Sequence, residues 1–210
     1  MSPFGAISTE RPQGGRCRRP KTSGMSPLSS NGCDLLAGEV LHRIASDLSM
    51  IIDRDLALEP GEVARLQERP VGAGQVHISF RFGVQGGQRA AQGCLLVPLP
   101  DALSIAGYMM MLPEEQVLAS RVGEAPDVPT REALMELSNF VAGAVDASLR
   151  ELLDGGRKVR SEGCQGVRAD VRPALVYEEG TCLVAGKARA TIEGHPSFEV
   201  TLVLPDLEEL

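Results

Sequence analysis

The stretch that decides the fold is residues 130–153, TREALMELSNFVAGAVDASLRELL. Stepping about 100° per residue, Leu134, Leu137, Val141, Val145, Leu149 and Leu152 fall on one continuous apolar stripe. Such a stripe predicts a long amphipathic helix, starting at Thr130, running to about Asp154 and stopped by Gly155-Gly156. The stripe needs a sheet to pack on. Opposite it lie Glu132, Glu136, Asn139 and Gly143, with Glu136 and Asn139 side by side one turn apart. An exposed mid-helix Asn gives up stability, because its amide competes with the backbone. Gly143 costs about 1 kcal/mol relative to Ala and leaves bare backbone open to approach. Phe140, on the flank of this face, adds one of the chain's few aromatic rings. Two readings stay open from the residues alone. One is a docking surface with polar chemistry at its centre; the other is a solvated helix face on which Gly143 packs against a neighbouring element.

Outward from this helix, the chain reads as an α+β domain with a largely antiparallel sheet packed against the long helix. Leu36, Val40, Ile44, Leu48 and Ile51 predict an amphipathic helix from Cys33 to about Asp55, with Asp34 near its start. Glu59-Pro60-Gly61 breaks the pattern, and 62–75 reads as irregular. Residues 76–84 alternate as a half-buried strand through Val76, Ile78, Phe80, Phe82 and Val84. Gly86-Gly87 turns the chain into a second strand, AAQGCLLVPL, after which Pro100-Asp101 opens a helix. Met109, Met110 and Met111 point three ways on that helix and read as core filling. Pro113-Glu114-Glu115 opens a further short helix, and 121–129 is a loop. Residues 171–177, VRPALVY, read as an edge strand carrying Pro173. The glycine- and charge-rich stretch 155–172 before it reads as an insertion. Two closing strands, over 182–192 and from Phe198 onward, are joined by a turn at Glu193-Gly194-His195-Pro196. Strands grouped in hairpins rather than alternating with helices give the α+β class.

Composition excludes several classes. The net charge of −7 argues against a nucleic-acid partner held by a basic face. Without tryptophan and with aromatics at 3%, the chain has little for base stacking. Residues 1–32 hold five basic side chains against Glu10, so the body from 33 to 210 carries −11. That head is rich in Pro, Gly and Ser and lacks apolar period. It reads as a disordered basic segment or as a functional basic arm, and not as a secretory signal. The five cysteines form no CxxC pair and read as reduced thiols, so the expected location is the cytoplasm. No metal-ligand spacing is present, and no uninterrupted apolar run of membrane-spanning length appears.

Glu136-Leu-Ser-Asn139 followed by Phe-Val-Ala-Gly143 resembles the ExxN signature of the CheC/CheX/FliY chemotaxis phosphatases, and MELSNFVAG is most similar to the long-helix motif of CheX-type members. The strand-to-helix stretch CLLVPLPDALSIAGYMMM and the closing hairpin extend the likeness over about Cys33 to Asp206. The resemblance implies hydrolysis of the aspartyl phosphate on a phosphorylated CheY-like response regulator. It makes Asn139 and Glu136 the catalytic pair: Asn139 places the attacking water, and Glu136 anchors the regulator's active-site lysine. Glu132, Phe140 and Gly143 become partner-binding. The Mg²⁺ is expected on the regulator, with no cofactor of the chain's own, and a homodimer is in keeping with the family. Three departures stand out. Glu132 occupies a place where the family has Asp or Ser. The proline that follows the motif in the family is best matched by Pro173, pushed further along by the 155–172 insertion. The first helix offers Glu39-Val-Leu-His42, where His42 replaces the amide, so one site is expected rather than two. A regulator-binding or flagellar-switch-like adaptor of the same fold, without catalysis, is the alternative.

Overall fold

The computed structural model describes residues 30–206 apart from 73, 87–88, 124, 154–156 and 177–180. The basic head to residue 29, the Gly87 half of the first turn and the Gly155-Gly156 helix stop therefore lie outside the described residues. The elements run α1 (Ser30–Ile52), β1 (Leu56–Leu66), β2 (His77–Gly86), β3 (Arg89–Pro98), α2 (Leu99–Met109), α3 (Glu114–Ser120), α4 (Val128–Leu152), β4 (Lys158–Val167), β5 (Leu183–Ile192) and β6 (Phe198–Pro205). The six strands form one antiparallel sheet in the order β1-β5-β6-β3-β2-β4. The class is α+β, with the long helix lying on the sheet.

The topology repeats. Exchanging β1 with β4, β2 with β5 and β3 with β6 turns the sheet order into its own reverse, and α1 and α4 precede the matching halves. Burial repeats with it. Leu36, Ala37, Val40, Leu41, Ile44, Ala45 and Leu48 of α1 are buried, and 97 residues later so are Ala133, Leu134, Leu137, Ser138, Val141, Ala142 and Val145 of α4. Both helices press their stripes on one sheet face, lined by Ile78, Phe80, Phe82, Val84, Leu95, Val184, Ala188, Leu202 and Leu204. Each of the larger side chains among them contributes about 1.5–3 kcal/mol when taken from water.

Several expectations need correction. Residues 62–75 are not all irregular: β1 runs through Glu59-Pro60-Gly61 to Leu66, taking up the break as a bulge between Pro60 and Val63. Pro60 fits because β1 is an edge strand, where a missing N–H leaves no neighbour unpaired. A Cβ on Gly61 would come within 2.9 Å of the Lys187 carbonyl oxygen. The supposed insertion holds β4, the other edge, also bulged. Bulges on both edges blunt further strand addition. VRPALVY is not an edge strand over its described part, 171–176. It is coil across the back of the sheet, where Arg69 donates to the Pro173 carbonyl (2.7 Å) and Leu175 joins Cys94, Leu96, Leu183 and Val203 in a small second core. Leu152 leaves the stripe and is half exposed. Cys33, Cys94 and Cys164 are free thiols, whereas Cys182 is disulfide-bonded. Burial pushes the Cys94 thiol up to about 12.

One polar cluster ties α2, α3 and the β5–β6 turn together. Arg121 donates to Asp101 (2.7 Å), to Ser104 Oγ (2.6 Å) and to His195 Nδ1 (3.3 Å). With Nδ1 accepting, His195 carries its proton on Nε2 and donates to Tyr108 Oη (2.5 Å), and Tyr108 in turn donates to Glu114 (2.8 Å). Arg54, just past the end of α1, pairs with Glu114 (3.2 Å) and sits 5.1 Å from the Tyr108 ring centre. This chain of donors is complete only with a neutral imidazole. Burial lowers the His195 pKa, and the neighbouring Arg121 charge lowers it further.

A histidine depressed on folding gives full stability above its unfolded value of about 6.5 and loses it as pH falls below that. Denaturation midpoints measured from pH 7.5 down to 5.5 should therefore drop for the wild type. His195→Gln should be less stable at pH 7.5 and lose less on acidification over that interval. Equal slopes for the two proteins would refute the assignment.

Candidate functional site

Asp127 starts α4 as its N-cap, its carboxylate accepting from the Thr130 N–H (2.9 Å), and Pro129 sits within the first turn. The hydrogen bond from Thr130 holds the Asp127 carboxyl below its ordinary range. From there the motif residues divide cleanly between the two faces. Leu137 and Ser138 turn inward, Ser138 accepting a hydrogen bond from Ser161 of β4 (3.0 Å). Glu136 and Asn139 turn outward, and the Asn139 amide donates to a Glu136 carboxylate oxygen at 3.1 Å. That bond satisfies part of the carboxylate, and both residues stay exposed.

An open groove over this face is lined by Val128, Arg131, Glu132, Met135, Glu136 and Asn139. Glu132 is thus beside the pair, one turn before Glu136. Phe140 is about one-third exposed on the flank. Gly143 is exposed, and a Cβ built there would meet nothing within 4 Å. The alternative in which Gly143 packs on a neighbouring element is therefore excluded among the described residues. The structure brings Glu132, Glu136 and Asn139 into one groove and leaves Phe140 and Gly143 beside it.

Sequence reading missed two parts of this surface. Met135 forms a wall of the groove, its sulfur 3.7 Å from the Cys164 sulfur, over the bulge in β4. Gly163, at φ +77°, makes that seat possible: a side chain there would be strained and would press on Met135 at 2.9 Å. Arg131 forms part of the same lining. Arg131 was in plain view as an exposed helix charge, but nothing in the spacing marked β4 as a strand, and so nothing marked Met135 as bordered.

The equivalent place on α1, 97 residues earlier, holds Glu39 and His42, both exposed. Three carbons and two ring nitrogens there replace a primary amide, so the donor–acceptor fork of Asn139 has no counterpart. Among the described residues no group of three or more His, Cys, Asp or Glu is placed to hold a metal ion, and no helix is long and apolar enough to cross a membrane.

No protein-family model and no curated protein matches the chain. Solved structures do. The chain is similar to FliY from Thermotoga maritima, at 18% identity over 86% of this chain and 91% of that one, with a TM-score of 0.64. It is also similar to the chemotaxis protein CheX from Desulfovibrio desulfuricans, at 16% identity over 80% and 97%, TM-score 0.52. The FliM middle domain from H. pylori follows the same path at 11% identity over 87% and 97%, TM-score 0.57. At these identities the likeness establishes the fold: that of CheC/CheX/FliY-type proteins and FliM middle domains.

Because Gly143 has open space and helical geometry, Gly143→Ala should raise stability by about 1 kcal/mol. Thermal or urea unfolding checks it; a loss of stability would mean that the glycine is required for packing after all.

Proposed function

We propose that this protein accelerates hydrolysis of the aspartyl phosphate on a CheY-like response regulator, in chemotaxis or a related two-component pathway. The observation that carries the reading is the Glu136–Asn139 pair, hydrogen-bonded at 3.1 Å on the outward face of a helix whose other face is fully committed to the core. The fold shared with FliY and CheX supports it.

The chemistry asks little of the phosphatase. An acyl phosphate is already activated, and the regulator brings the Mg²⁺ that neutralises charge on the phosphoryl oxygens. Water attacks phosphorus in line, the bond to the aspartyl oxygen breaks, and the regulator recovers its carboxylate as inorganic phosphate leaves. What the docked protein adds is orientation of that water. Asn139 suits the task, since its amide both donates and accepts and carries no charge to repel the phosphoryl group. Glu136 anchors a lysine of the regulator. In the free protein its carboxylate holds the Asn139 amide; an arriving ammonium competes for that carboxylate and frees the amide to meet the water. Glu132, Phe140 and Gly143 then form the contact surface around the pair, with the bare backbone at Gly143 allowing close approach.

The second reading is a non-catalytic adaptor. The FliM middle-domain fold supports it, as does Glu132, which puts a second carboxylate beside the anchor. An adaptor would bind the regulator and leave its dephosphorylation rate unchanged.

Phosphate release from a phosphorylated CheY-like receiver domain separates the two. The wild type should accelerate release, and Asn139→Ala should lose about 100-fold of that acceleration with an unchanged circular dichroism spectrum. Glu136→Ala should mainly weaken binding. Binding without acceleration by the wild type would select the adaptor.

A further inference from the structure

The groove over α4 is divided by charge. Around the helix axis Arg131 and Met135 lie to one side, Glu132 and Glu136 to the other, with Val128 at the near end and Asn139 at the far end. The Met135 side borders β4, because Met135 touches Cys164 there. One wall is thus cationic and apolar, the facing wall acidic.

The Arg131 guanidinium makes no ion pair within its own helix among the described residues. Three and four residues on are Leu134 and Met135, and Glu132 and Glu136 are at offsets that do not face it. One turn back is Asp127, whose carboxylate accepts from the Thr130 N–H and feels the Arg131 charge but takes no hydrogen bond from its terminal nitrogens. The guanidinium is steadied only at its base: Nε donates to the Asp127 carbonyl at 3.3 Å, and among the described residues the two terminal nitrogens hydrogen-bond to nothing. Four donors in a planar fork therefore stand over the groove, pre-aimed by the Nε contact, in the geometry that suits a carboxylate.

We infer that Arg131 is a docking residue that pairs with a carboxylate on the surface of the partner. This deepens, and rests on, the reading of α4 as a regulator-docking face. The rise along the helix is about 1.5 Å per residue, so Arg131 lies about 12 Å from Asn139 and about 7.5 Å from Glu136. The first distance exceeds what an arginine side chain spans, so its target is not the phosphoryl group that Asn139 addresses. The partner surface must then present a lysine opposite Glu136 and a carboxylate two helical turns from the phosphorylated residue, toward the N-terminus of α4. The two walls of opposite sign set one direction of docking, since reversing the partner would bring like charges together.

The test uses the full chain and a CheY-like receiver domain of the source organism, phosphorylated with acetyl phosphate in Mg²⁺. Arg131→Ala should raise KM for regulator dephosphorylation roughly fivefold with kcat unchanged, Arg131→Glu should raise it further, and Arg131→Lys should recover most of the loss. The effect should shrink at 0.5 M salt, as a rim charge pair is screened. Calorimetric titration of the unphosphorylated receiver domain should show the same weakening by Arg131→Ala. A loss confined to the phosphorylated form would overturn the carboxylate assignment in favour of the phosphoryl group. If Arg131→Glu matches the wild type while Asn139→Ala is inactive, the Arg131 proposal falls and the phosphatase reading stands. If the wild type binds without accelerating release and Arg131→Glu abolishes binding, the phosphatase reading falls and Arg131 keeps its role. A wild type that neither binds nor accelerates overturns both.

Discussion

The apolar stripe of α4 against the sheet is the constraint on which everything else depends. Leu134, Leu137, Val141, Val145 and Leu149 are almost fully buried, and rotating the helix by even one residue would expose them at a cost of several kcal/mol. That cost sets the direction of every other side chain on the helix. Glu136 and Asn139 point outward because Leu137 and Ser138 must point inward. Ser138 finds Ser161 across the interface and so avoids the penalty of a buried hydroxyl without a partner. Asp146 accepts from the Val159 N–H at 2.7 Å, pinning the last turns of α4 to the start of β4. A polar pair on an exposed face is usually mobile; here it stands on a helix clamped along its length.

The repeated architecture explains why such a pair could arise twice and is present in full once. Both long helices use the same burial register, so Glu39 and His42 are presented as Glu136 and Asn139 are. The backbone offers the place; the side chain decides the chemistry. An imidazole cannot present the coplanar donor and acceptor of a primary amide, and when protonated it adds a positive charge. The helices are also joined at their flanks by Arg43 and Glu151, a fork of three contacts at 2.9 Å. Exposed as it is, that pair adds at most about 1 kcal/mol and serves alignment more than stability.

The polar cluster around Arg121 sits at the junction that leads into α4. Arg121 closes α3, and the chain reaches the Asp127 cap six residues later. Buried charges are costly unless paired, and Asp101 shows that cost as a carboxyl held above its ordinary range by burial in spite of its arginine. The network is held by hydrogen bonds from Arg121 to Asp101, Ser104 and His195 and onward through Tyr108 to Glu114. It fixes where the β5–β6 turn and the α2–α3 pair sit relative to each other, and so where the path into the groove-bearing helix begins.

The helices, the hairpin strands β2, β3, β5 and β6, and the outward pairing of Glu136 with Asn139 were legible in the residues alone. For α1, α4, β2, β5 and β6 a strong local period of apolar residues is sufficient, because burial of one face is decided within the element, and for β3, α2 and α3 the glycine and proline breaks mark the start. The two edge strands were not legible. β1 contains Glu59-Pro60-Gly61 and β4 contains a glycine at positive φ, and both are half exposed, so neither shows alternation; their pairing energy comes from partners far away in sequence. The same non-local pairing puts β4 beside α4 and seats Met135, part of the groove lining, on Gly163. Sequence determined which side chains face outward. Only the tertiary structure decided what stands beside them, because the register that brings β4 against Met135 is set by hydrogen bonds between strands that no local pattern records.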